Sequence, residues 1–418
     1  MYCTNVRIID LICEIILNIR QKALYILLTL FTLFNGLKWA NHFVQAPYAP
    51  LDFRTYYFSS ESYWQGDNPY SDEAQIKSMH ACSDSANLQL EKHPGGFPHA
   101  SAVYAPQFIW YFGLYNLLDY KYAKILDFAL NILSIFWIIL CVKKLNPDLK
   151  TVLIALSILA FRGTWYALDT GQPLLQVFAV CLWALRLYQS KKHPLLCSLL
   201  LAFVSFKFTV ILPLICLLFL GKDKRYLILY LGLVLILNFS ALILHNDPNI
   251  LLHAWSENIN KLWAYPHRYN LINGLNTISS NLSVALKYNF DVPLGLLKSS
   301  MAAALITCYV LIVFKNKHLS DGQILLFLGL SNLCFGQHLI YDALSLLAYK
   351  LISARKDQEL NTVEMLLLLT LLLPMGAIAD KLQVFQLNFV FNFILFANWI
   401  YLFVAYFFNR NKAIKNPS

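Results

Sequence analysis

Residues 195–220 read LLCSLLLAFVSFKFTVILPLICLLFL, and residues 226–244 read YLILYLGLVLILNFSALIL. The first run holds one charge, Lys207; the second holds none. Apolar stretches of this length are the mark of helices that enter a bilayer. Between them stand Lys222, Lys224 and Arg225, and short cytoplasmic loops concentrate such cations. Working outward, further apolar spans are expected at about 23–43, 101–118, 124–141, 151–168, 172–188, 295–314, 322–336, 339–353, 362–380 and 385–408.

The whole composition agrees. Of 418 residues, 58% are hydrophobic and 13% charged, and mean hydropathy is +0.53. A soluble domain carries about 25% charge, so a cytosolic enzyme and a disordered chain are both excluded. The fold class expected is an all-α polytopic membrane protein with about 11–13 transmembrane helices. The net charge of +10 belongs to cytoplasmic loops, and no basic array calls for nucleic acid. Most of the nine cysteines lie in apolar runs. No Cys/His spacing suggests a disulfide framework or a metal; no cofactor is expected.

Residues 1–22 form an amphipathic helix, either lying in the membrane interface or extending the first span into the cytoplasm. The remainder, 23–418, reads as one transmembrane domain. Strict alternation puts both termini in the cytoplasm and two long loops, 44–100 and 245–294, outside. Two short loops disagree: Lys143, Lys144 and Lys150, and then Arg186, Lys191 and Lys192, would face outward. One remedy is a re-entrant hairpin in which 195–206 rises, 209–220 returns and Lys207 sits at the turn. Such backbone is tolerated where it lines a polar cavity.

The first loop opens with Pro47-Tyr-Ala-Pro50-Leu-Asp52-Phe-Arg54-Thr-Tyr56-Tyr57. A helix runs from here to Gln65 and stops at Gly66, a C-cap signal. Phe53, Tyr57, Ser60 and Trp64 share one face, expected to rest on the membrane surface. Asp52 is then either an N-cap or a catalytic group. Next come Gly66-Asp67-Asn68-Pro69-Tyr70, Val103-Tyr104-Ala105-Pro106 and Thr170-Gly171-Gln172-Pro173. Lys207, inside an apolar run, is functional or snorkelling. His338, Tyr341 and Asp342 fall on one helical arc at a membrane boundary.

Taken in order, these segments resemble glycosyltransferase family 87, polyprenyl-phosphate-mannose-dependent alpha-mannosyltransferases of the GT-C superfamily. The resemblance covers about 52–345 and is carried by Asp52/Tyr56/Tyr57, Gly66/Pro69/Tyr70, Tyr104/Pro106, Gly171/Gln172, Lys207/Pro213 and His338/Tyr341/Asp342. Ala105 stands where the family has the first proline of Tyr-Pro-Pro, and Pro173-Leu174 where it has valine and asparagine. The resemblance implies a GT-C fold and a transferase of the bacterial inner membrane with its site facing the periplasm. The donor would be a polyprenyl-phosphate sugar and the acceptor a lipid or glycan hydroxyl.

Such a reaction needs a base for the acceptor hydroxyl and cations for the departing phosphate. Asp52 is the candidate base. Lys207 is the first phosphate candidate, then Arg54 and His338, with Arg162 and Arg268 weaker. One carboxylate acting as base implies inversion. Tyr56, Tyr57, Tyr70, Tyr104, Gln172, Tyr341, Asp342, His267 and Arg268 are candidate substrate contacts. In the second loop Trp255, Trp263 and Tyr265 suit a sugar or an interfacial aromatic belt equally. Two rivals remain: a polysaccharide ligase or polymerase using lipid-pyrophosphate donors, and a secondary transporter. The transporter predicts an internal repeat, and none is visible.

Overall fold

The computed structural model describes residues 22–41, 43, 50–71, 73–74, 77, 104–264, 277–278, 294–315, 318–335, 338–339, 342–354 and 387–408. The segment 1–21, the whole of the span expected at 362–380 and much of both long loops lie outside them. The regular structure among the described residues is helical save for one two-residue pairing, in which Thr277 opposes Leu339 and Ile278 opposes His338. The protein is an all-α polytopic membrane protein.

The first helix, α1 (Lys22–Asn41), rises beside a broken span made of α5 (Thr151–Ala160) and α6 (Arg162–Thr170), which bends by 61°. Thr32 and Asn35 of α1 donate to Leu156 O and Ala160 O, so α1 and α5 run in the same direction. The break exposes carbonyls that lipid cannot satisfy. Side chains satisfy them: Thr164 donates to Ile158 O at 2.8 Å, Trp165 to Leu159 O at 2.6 Å and Asn35 to Ala160 O at 2.9 Å.

Between α1 and the next span, α4 (Tyr120–Leu145), lie α2 (Leu51–Trp64) and α3 (Phe108–Gly113). The expected span at 101–118 is therefore absent. The apolar residues there form a six-residue helix and a 3-10 turn at Tyr115–Leu117. Phe108, Ile109 and Phe112 are buried inside the protein. Their hydrophobicity answers to the underside of α2, where Ser60 donates to Ile109 O, and to no lipid. The face of α2 also departs from expectation. Phe53, Tyr57 and Ser60 are buried against Tyr115 and Tyr120, and only Trp64 is exposed. The helix ends as expected, with Gly66 at φ +84°.

The run 194–220 settles the remaining topology. It consists of α8 (Pro194–Val204), a 3-10 turn at Ser205–Lys207 and α9 (Phe208–Leu220). As one straight helix its 27 residues would extend about 40 Å. Both of its ends instead meet the end of α7 (Leu174–Gln189). Cys197 Sγ contacts Ala184 O, while Tyr188 donates to Leu217 O at 3.1 Å. Ser198 and Lys192 O both bond to Tyr226, the second residue of α10 (Arg225–Ile243). Length and composition alone would pass the run as a span; these contacts make it a re-entrant hairpin. Lys207, at ψ +61°, leaves the helical path at the tip.

Removing the span at 101–118 and folding 194–220 back changes the direction of every helix between. Lys143, Lys144, Lys150, Arg186, Lys191, Lys192, Lys222, Lys224 and Arg225 now share one end of the bundle, which removes the conflict between these loops.

Beyond α10 come α11 (Pro248–Ala264), α12 (Leu294–Lys315), α13 (Asp321–Phe335), α14 (Ala343–Ser353) and α15 (Leu387–Phe407). Helices α13 and α14 pack at close range through glycine, as membrane helices do. A Cβ at Gly322 would lie 3.1 Å from Ser353 Cα, and one at Gly329 3.0 Å from the Tyr349 ring. Asn146, capping α4, donates to Leu351 O and Ala354 O and fixes the lower end of α14.

Candidate active site

Four elements converge at the end opposite the lysines: the start of α2, the α6–α7 junction, the hairpin tip and the start of α14. Helix α6 closes with Gly171 at φ +65°, and Gln172 N–H returns to Ala167 O at 2.9 Å. This glycine-terminated reversal swings Gln172 onto α2, where its Nε2 donates to Asp52 Oδ2 at 2.5 Å. Thr170, whose hydroxyl donates to Tyr166 O at 3.0 Å, lies beside the same carboxylate. Asp52 is not an N-cap. Pro50 holds that position, without a side-chain bond.

Asp52 sits deep among the helices yet keeps some accessible surface. Burial is the largest influence on its carboxyl and raises its pKa above the ordinary 3.8; Gln172, Thr170 and the Lys207 charge pull it back in part. Gln172 is 2% exposed, and its Oε1 has no hydrogen-bond partner. An orphaned acceptor thus stands beside the carboxylate.

One turn along α2, Tyr56 stacks on Tyr104 with ring centroids 4.4 Å apart. Lys207 Nζ donates to the Tyr104 hydroxyl at 3.2 Å and pairs with Asp342 Oδ1 at 3.4 Å. Both ion-pair side chains are under a tenth exposed. A lysine at a hairpin tip is thereby held by an aromatic hydroxyl on one side and a carboxylate on the other. Burial raises the Tyr56 hydroxyl well above its usual range, with Tyr104 and Asp52 adding to the effect, so Tyr56 keeps its proton.

Other expected contacts fall differently. Tyr57 donates to Leu118 O at 2.8 Å, and Tyr70 to Tyr104 O at 2.9 Å. Both hydroxyls brace backbone, Tyr70 supporting Tyr104 itself. Arg54 is half-buried on α2, two residues past Asp52. His338 and Asp342 do not share a helical arc. His338 belongs to the short strand, Tyr341 is outside the described residues, and Asp342 is the N-cap position of α14. His267 and Arg268 also lie outside the described residues; Trp255 is half-buried on α11.

Sequence reading passed over two supports. Gln107 Nε2 donates to Ser205 Oγ at 2.7 Å and its Oε1 accepts from Asn238, pinning the hairpin tip to α3 and α10. Below Gln172, one turn on, Gln176 donates to Asp127 at 2.8 Å and accepts from Tyr111 and Tyr115. Tyr111 in turn packs against Phe206, next to Lys207. The clue was available in the i, i+4 spacing of two glutamines at an apolar helix start.

No curated protein and no solved structure matches the chain. A model of glycosyltransferase family 87 matches residues 102–330, which include Tyr104, Gln172 and Lys207; Asp52 and Asp342 lie beyond them. That match spans more than half of the sequence: the chain belongs to glycosyltransferase family 87 and is a membrane glycosyltransferase.

Proposed function

We propose that the protein moves a hexose, mannose by the family resemblance, from a polyprenyl-phosphate donor to a hydroxyl of a lipid or glycan acceptor. The observation that carries this is the pairing of Asp52 with an unfilled acceptor, Gln172 Oε1, within the electrostatic reach of Lys207. A sugar acceptor entering here gives one hydroxyl proton to Gln172 Oε1 and points its neighbouring, reacting hydroxyl at the Asp52 carboxylate. As its oxygen attacks the anomeric carbon, Asp52 takes the proton and the bond to the lipid phosphate breaks on the far side, giving inversion. Lys207 meets the charge that develops on the leaving phosphate. Asp342 holds Lys207 until that phosphate competes for it, and Tyr56 and Tyr104 give the sugar a stacked aromatic wall.

By the positive-inside rule the lysine-rich end is cytoplasmic, which turns this site outward. In a bacterial inner membrane that is the periplasmic face, where a lipid-linked donor has its head in water. A ligase or transporter reading has no comparable support in the site's geometry.

The test is transfer of label from polyprenyl-phosphate mannose, with a total membrane lipid extract as acceptor source, by wild type and Asp52→Asn. Turnover in wild type that vanishes in the variant is expected. Equal turnover in both removes Asp52 from the chemistry; turnover only with a lipid-pyrophosphate sugar replaces the donor class.

A further inference from the structure

One cation in the membrane-embedded bundle has no assigned work. Arg162 opens α6, immediately past the 61° break, and its Nη1 is buried with no hydrogen-bond partner among the described residues. The guanidinium stays charged at any physiological pH, so a buried N–H of this kind without an acceptor is costly. The break itself does not need Arg162. Its carbonyls are already taken by Thr164, Trp165 and Asn35.

A second orphan donor lies nearby. Trp39 Nε1 is also buried without a partner, and the Trp39 ring packs on Trp165, one turn from Arg162, at 5.7 Å. The face that carries Arg162 continues through Tyr166 and Asp169 to Thr170, all partly exposed while Gly163, Thr164, Ala167 and Leu168 are buried. Thr170 ends the stripe at Asp52. The nine residues from Arg162 to Thr170 make eight steps and span about 12 Å.

We infer that the polar face of α6 is a substrate track and that Arg162, with Trp39, binds a lipid-borne phosphate about 12 Å from the reacting centre. A planar guanidinium presents paired N–H groups that match phosphate oxygens, and the indole adds a single donor. This phosphate is distinct from the one that Lys207 meets, because Lys207 reaches the centre from the hairpin on the other side, through Tyr104. Asp169 lies towards Asp52, where a sugar's hydroxyls rather than its phosphate would meet it. Only the link to a transferred sugar rests on the transferase reading; the phosphate site stands on Arg162 and Trp39.

The experiment measures lipid binding without turnover, on the purified full-length protein. The probes are sugar-free polyprenyl phosphate, phosphatidylglycerol and, as the neutral control, polyprenol. The proteins are wild type, Arg162→Gln, Arg162→Lys, Trp39→Phe and Lys207→Met. Loss of a charge-assisted hydrogen bond predicts a fall of about tenfold or more in Arg162→Gln for one phosphate lipid. Polyprenol binding stays unchanged, Arg162→Lys is intermediate and Trp39→Phe shows a smaller fall. A fall confined to polyprenyl phosphate, and additive with Lys207→Met, assigns the lipid carrier; one confined to phosphatidylglycerol assigns a phosphodiester lipid. Should Arg162→Gln not fold, Trp39→Phe and Arg162→Lys carry the test. Unchanged binding of both phosphate lipids in every folded variant overturns the inference. Arg162-dependent binding by a protein inactive in sugar transfer leaves it standing and sinks the transferase mechanism alone.

Discussion

Lys207 and Asp342 face each other at 3.4 Å between the tip of a re-entrant hairpin and the first turn of α14. Removing one member of a buried pair strands the other's charge and costs about 3–5 kcal/mol. Asp342→Asn is therefore expected to lower the thermal stability of the detergent-solubilised protein substantially. The double variant Lys207→Met/Asp342→Leu regains most of that stability while staying inactive in sugar transfer. A stable, fully active Asp342→Asn would show that the pair holds nothing in place.

Asp52 gives a pH dependence with a definite sign. A base works only when deprotonated, and burial raises this carboxyl above 3.8. The acidic limb of kcat/KM is expected above the ordinary carboxylate range. Gln172→Leu, which removes a bond favouring the charged form, moves the limb higher still. The limb is read from transfer rates measured from acid to neutral pH.

The same shift bears on stability. The folded state holds the proton more tightly than the unfolded chain, so the contribution of Asp52 to stability declines as pH rises from 3.8 through the raised value. Asp52→Asn removes that penalty. At neutral pH the inactive variant should unfold at a higher temperature than wild type, and a lower temperature would contradict a desolvated carboxylate.

The hairpin predicts membrane sidedness. Single cysteines replacing Lys144, Lys192 and Lys222 in a background without the nine native cysteines should all react with a membrane-impermeant maleimide from one side. A cysteine replacing Asn68 should react from the other. Labelling of positions 192 and 222 from opposite sides would make 194–220 a straight span.

Gln107 ties the tip to two other helices. Gln107→Leu leaves Ser205 and Asn238 without their buried partner, at a cost of about 1–3 kcal/mol. Because Lys207 is two residues from Ser205, the expected signature is a raised KM for the donor beyond any change in kcat. A loss of stability with kinetics unchanged would reduce Gln107 to a fastener.

The membrane class, the end of α2 at Gly66 and the place of Lys207 at a turn were legible because each rests on local chemistry: charge density, a glycine C-cap, a lysine among apolar residues. The error at 101–118 has a clear physical source. Burial under α2 and burial in lipid select the same residues, and Phe108 to Phe112 carry no mark of which applies. One miscounted span reversed every helix up to the hairpin and put Lys143 and Lys192 on the wrong side. The conflict with the cation rule was the sequence's own signal that something non-spanning lay in this region. Tyr57 and Tyr70 could not be told from substrate contacts, since the carbonyls they bond are set by tertiary packing. Arg162 was visible as a cation, but its lack of a partner is a property of the folded bundle.

The hairpin also sets an order of assembly. Chain synthesis delivers Lys207 to the membrane well before Asp342 exists, and before α10 offers Ser198 its anchor at Tyr226. A charged tip without its counter-ion has no stable home in lipid. The two short helices must then wait at the surface, or in the insertion machinery, until later helices arrive. The candidate pocket of this protein closes only when α14 arrives, and a chain truncated before α14 would be left with a lysine without its Asp342 partner.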